Sequence, residues 1–109
     1  MTLTIENRSV PLLCACLALG TLTAIQAGSL PPEAGIWTLG RPTFWEPLVE
    51  AGLVPDDLVE VLQVADELNA LQQLAPDAYK EQLASSTGTT LRVIAQDGTI
   101  SFDATWATE

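Results

Sequence analysis

The sequence predicts an α+β domain: a helical core of about four to five helices carrying a small antiparallel sheet. Three observations lead there. An uncharged apolar run fills the first quarter of the chain, amphipathic stretches with a 3.6-residue period follow it, and the last twenty residues alternate in the manner of strands. The alternative reading is an all-α chain with a loose C-terminal tail. At 109 residues the chain makes one domain, 1–109, large enough to bury a core without a disulfide or metal staple.

The elements follow in order. "TLTIE" alternates, with Leu3 and Ile5 on one face, and reads as a strand over 2–6. "SVPLLCACLALGTLTAIQAGS", residues 9–29, admits three readings: an export signal, a membrane span or a buried helix. A signal needs a basic start, and here Glu6 offsets Arg8. A span is interrupted by Gly20, Thr21, Thr23 and Gln26 and lacks flanking anchors. The buried helix, 9–28, is preferred, with Ser9 at its N-cap, Pro11 in its first turn and Gly28 as its stop. Cys16, Gly20 and Ala24 lie on one line at i, i+4 spacing, a row of small residues that admits a close neighbour. They are the candidate contact of a homodimer.

Pro and Gly punctuate 31–52, predicting short helices that stop before Gly40 and at Gly52, with Trp37, Phe44 and Trp45 filling the junction between them. "VPDDLVEVLQVADELNALQQLAP" is the clearest helix, with Pro55 at its first position and Leu58, Val61, Leu62, Ala65, Leu68 and Leu71 as its buried stripe. A further helix runs from Pro76 to about Ala84 and ends in the loop "SSTG", so amphipathic helices occupy 55–84. In "TLRVIAQDGTISFDATW" the Asp97-Gly98 pair sits between two alternating runs and predicts a β-hairpin over 90–106. In that register Val93 faces Phe102 and Arg92 faces Asp103, and the N-terminal strand adds a third member. The run "LALGTLTAIQAGSL" to "GIWTLGRPTFWEPLVEAG", followed by "LVEVLQVADELNAL", resembles the helical region of small bacterial proteins of unknown function over about residues 12–84. That resemblance implies no activity and no functional residues.

Composition narrows function by exclusion. Fourteen acidic residues stand against four basic ones, a formal net charge of -10, which repels nucleic-acid backbone and anionic membrane surfaces and attracts a basic protein partner. Histidine is absent, which removes imidazole-based catalysis and most zinc sites. Cys14 and Cys16, two apart on a helix, point about 200° away from each other and cannot pair, in keeping with a reduced, cytoplasmic protein. No glycine-rich phosphate loop occurs. Asn7-Arg8-Ser9 matches a glycosylation acceptor, relevant only to a secreted chain.

Carboxylates remain. Glu46 and Glu50 are one helical turn apart, and Asp56, Glu60 and Glu67 share one face of the long helix with Gln63. Between residues 46 and 81 nine acids meet a single base, Lys80. The expectation is a small acidic, non-enzymatic protein that binds and neutralises or regulates a basic protein partner, as an immunity protein, antitoxin or inhibitor does. Its contact surface would be Glu46, Glu50, Asp56, Glu60 and Glu67, and no cofactor or metal is expected. The alternatives are a homo-oligomeric assembly subunit and, behind it, an enzyme using paired carboxylates with a divalent metal.

Overall fold

The computed structural model describes residues 1–108, with Ile36 and Trp37 described by their backbone alone. The chain runs β1 (Thr2–Ile5), α1 (Val10–Gln26), α2 (Ala34–Trp37), α3 (Pro42–Glu50), α4 (Asp56–Val64), α5 (Leu68–Leu74), α6 (Pro76–Asp97) and β2 (Ala104–Ala107). A 3₁₀ turn, Asn7–Ser9, leads into α1, and another, Ala65–Glu67, joins α4 to α5. The class is α+β, with a two-stranded antiparallel sheet beside the helices.

The longest helices, α1 and α6, pack against each other, and α4 and α5 also lie against α6. From α1 the core takes Cys14, Ala15, Ala18, Leu22 and Ile25, and from α6 it takes Tyr79, Leu83 and Val93. Leu58, Val61, Leu62, Ala65 and Leu68 join it, as their spacing predicted, with Val10, Leu39 and Val54, while Leu71 stays half-buried against its edge. Phe44 and Trp45 pack partly buried on the core, whereas the side chain of Trp37 lies outside the described residues.

Several helix ends fall where the sequence places them. Ser9 precedes α1 with Pro11 in its first turn, although the Ser9 hydroxyl does not cap the helix: it accepts the backbone N–H of Asp103 at 2.9 Å. At the other end Gly28 N–H reaches Ile25 O and Ser29 N–H reaches Ala24 O, the paired bonds that close a helix on its own carbonyls. The same pattern closes α3, where Gly52 and Leu53 donate to Val49 and Leu48.

The C-terminal hairpin is not formed. Residues 76–97 make one 22-residue helix through "SSTG", and β2 pairs with β1 in the register Thr2↔Ala107, Leu3↔Trp106, Thr4↔Thr105, Ile5↔Ala104. The reason lies in the spacing of Tyr79, Leu83, Ser86, Thr90 and Val93, steps of four and three that put all five on one buried stripe. Two of them are polar, which hides the stripe from a hydrophobic pattern. Thr90 is buried at no cost in lost bonds because its hydroxyl donates to Ser86 O at 2.8 Å. Asp97-Gly98 ends a helix here. Gly98 takes φ +78°, a left-handed conformation that glycine adopts without a steric penalty, and Asp97 Oδ1 accepts the N–H of Thr99 at 3.0 Å. Asp103, expected opposite Arg92, instead forms an ion pair with Arg8.

The long helix predicted from Pro55 is also interrupted. At Ala65–Glu67 it tightens into the 3₁₀ turn, and α2 packs on that turn. A Cβ on Gly35 would sit 2.3 Å from the carbonyl oxygen of Ala65, so only a glycine lets the two backbones meet. Gly35→Ala should therefore destabilise the fold by about 1–3 kcal/mol, read from urea denaturation. The opposite sign is expected at Gly88, exposed inside α6 with nothing within 4 Å of an added Cβ: Gly88→Ala should stabilise by about 1 kcal/mol, read from the same denaturation.

Candidate functional site

The five carboxylates proposed from the sequence stand on α3, α4 and the turn after α4. Glu46 and Glu50 lie one turn apart on α3, Asp56 and Glu60 one turn apart on α4, and Glu67 ends the 3₁₀ turn. All five are exposed. The single face expected for Asp56, Glu60 and Glu67 is broken, because three residues at 120° rather than 100° carry Glu67 roughly 60° off the α4 line. Helix α3 packs on α4, which brings the two pairs onto neighbouring elements.

The surrounding acids enlarge this surface. Asp57, Asp66, Asp77 and Glu81 are exposed as well, so every acid between 46 and 81 faces water. Among the described residues none of them takes part in an ion pair; the one pair present, Arg8 with Asp103, joins the start of α1 to the segment before β2. Asp57 and Glu60 share the wall of a cleft of about 270 Å³ with Gln82, Ser85, Ser86 and Thr89 of α6. The place of Asp57 on this cleft depends on α6 continuing past Ala84 and has no signature in the sequence. Among the described residues no three Cys, Asp or Glu side chains come together as a metal site.

The small-residue line on α1 is open. Cys16 and Ala24 are half-buried, and Gly20 is exposed with nothing within 4 Å of the position a Cβ would take. The first helix is thus buried on one side only. Its other side leaves Leu17 46% exposed. With the preceding turn this segment, Asn7–Gln26, is long and apolar enough to cross a membrane, and in the folded chain 44% of its apolar window is buried against the other elements.

Both cysteines are free thiols in different settings. Cys14 is 3% exposed, and burial pushes its thiol up to about 11, because a thiolate there would lose its hydration. Cys16 is half-buried. Comparison with protein-family models, curated proteins and solved structures returns no match, so function is argued from the residues alone.

Alkylation of the folded protein at pH 8 should label Cys16 and spare Cys14, with mass spectrometry showing both labelled once the chain is unfolded. Because the folded Cys14 thiol holds its proton more tightly than the unfolded one, its contribution to stability is complete below about pH 9 and lost as pH rises toward about 11. Burial raises the Tyr79 phenol in the same direction. Denaturant midpoints should fall across that alkaline window, and the Cys14→Ala variant should fall less.

Proposed function

We propose that this protein is a non-enzymatic, cytoplasmic binder of a basic protein surface, acting as an immunity protein, antitoxin or inhibitor does. One observation carries the reading: nine acids between residues 46 and 81 are exposed, and none of them is neutralised by an ion pair among the described residues. A surface charge of this sign and density raises the encounter rate with a cationic partner and weakens with salt. Glu46, Glu50, Asp56, Glu60 and Glu67 form its contact set, and Asp57 extends it beside Glu60. Steering brings the partner in, and shape then covers the partner's working surface.

A second reading concerns assembly. Homodimerisation through Cys16, Gly20 and Ala24 is favoured by the open face of α1, where a second backbone would meet no side chain at Gly20. The two readings are compatible, since a dimer presents its acidic surface twice. Sedimentation equilibrium distinguishes them, because a monomer at high protein concentration removes the assembly reading and leaves the first untouched.

The main proposal is tested by capturing the basic partner from lysate at low salt and comparing the wild-type chain with the double variant Glu60→Lys, Glu67→Lys. Association with the identified partner should slow about tenfold or more and lose most of its salt dependence. Unchanged association and an unchanged salt slope would refute the assignment of this surface.

A further inference from the structure

A different part of the molecule has the opposite electrostatic character. Between α1 and the start of α3 lies an open cleft of about 360 Å³, lined by Leu17, Thr21, Leu39, Arg41, Thr43 and Phe44. Its surface is predominantly apolar. The size falls within the range of small-molecule sites, and at roughly 30 Å³ per water it holds the equivalent of about twelve waters, or a ligand of comparable heavy-atom count.

Its polar side chains are Thr21, Thr38, Thr43 and Arg41, of which the Thr38 hydroxyl donates to Ala34 O at 2.6 Å. Thr21 donates its hydroxyl to Leu17 O at 2.9 Å, so that hydroxyl is already engaged with its own helix. Arg41 is one of only four basic side chains in the protein, is exposed, and forms no ion pair among the described residues. A guanidinium with no ion-pair partner among the described residues, at the wall of an apolar cleft, is complementary to a carboxylate carried on an apolar body. The start of α3 at the same wall adds partial positive charge of the same sign.

We propose that this cleft binds a small amphipathic carboxylate, its chain lying along Leu17 and Phe44 over the buried Leu39 and its carboxylate held by Arg41. The site is independent of the acidic surface and needs no basic partner. Its preference also runs against the molecule's overall charge of -10, which favours cations everywhere that local chemistry does not override it. At physiological salt the screening length is about 8 Å, short enough for the adjacent guanidinium to set the selectivity.

The test titrates the full chain with octanoate, octanol and octylammonium by calorimetry, with backbone NMR shifts locating the site. Octanoate should saturate one site per chain, shift Leu17, Thr21, Leu39 and Phe44, and bind about tenfold tighter than octylammonium. Arg41→Gln should weaken octanoate about tenfold while changing octanol less than about twofold. Leu17→Gln, on an exposed position, should weaken both ligands. The proposal is overturned if octylammonium binds as well as octanoate, if Arg41→Gln leaves octanoate binding unchanged, or if the shifts map to the exposed Phe102 and Trp106 instead.

Discussion

The structure depends on covering one uncharged helix. From Val10 to Gln26 no side chain carries a charge, and water is a poor solvent for such a segment over its whole circumference. Helix α6 supplies the main cover, and both partners carry small residues in their buried stripes: Ala15 and Ala18 on α1, Ser86 and Thr90 on α6. Small residues allow two helices to approach closely, where dispersion contacts are most numerous. The length of α6 follows from the same need. A helix stopping at Ala84 would leave Ser86, Thr90 and Val93 unused and the first half of α1 short of cover.

What the sequence reveals depends on whether the cause of a feature is local. The ends of α1 and α3 are legible because Gly28 and Gly52 close each helix through bonds to carbonyls within the same turn. The start of α4 is legible for a similar reason, with Pro55 before it and Asp56 and Asp57 in its first turn. The 3₁₀ turn at Ala65–Glu67 is not legible, since it coincides with the approach of α2 through Gly35, thirty residues earlier in the chain. "TLRVIAQDG" misleads because its residues satisfy two periods at once, and Asp-Gly suits a helix end as well as a hairpin. Tertiary burial of Thr90 and Val93 decides between them.

The candidate surface divides in the same way. That the acids between 46 and 81 are solvated could be read from charge alone, because isolated carboxylates are costly to bury. Their grouping could not, for it depends on the turn that rotates Glu67 and on the stretch of α6 that places Gln82 and Ser85 beside Glu60. The Arg41 cleft has no sequence signature at all. Leu17 reads as one more apolar residue in an apolar helix, and only the folded chain leaves it open. The surface therefore combines two chemistries, a broad anionic region whose carboxylates form no ion pairs among the described residues and a small apolar recess with Arg41 at its wall.

The ribbon joining the two ends of the chain has a consequence for the order of folding. Thr2 pairs with Ala107, and the backbone of Glu6 donates to Asp103 O at 2.8 Å, so these bonds link residues separated by nearly the whole length of the protein. Closing a flexible loop of that length costs about 4 kcal/mol in its length-dependent part, whereas the turns of α6 close over four residues. Docking of α1 and α6 brings their outer ends near each other and removes most of that closure cost, which favours late formation of the ribbon. It is correspondingly the first part to open: β2 is exposed along its length, and Arg8, Asp103 and the Ser9 hydroxyl hold its approach. The two strands act as a clasp on a helical body, fastened last and released without unfolding what it fastens.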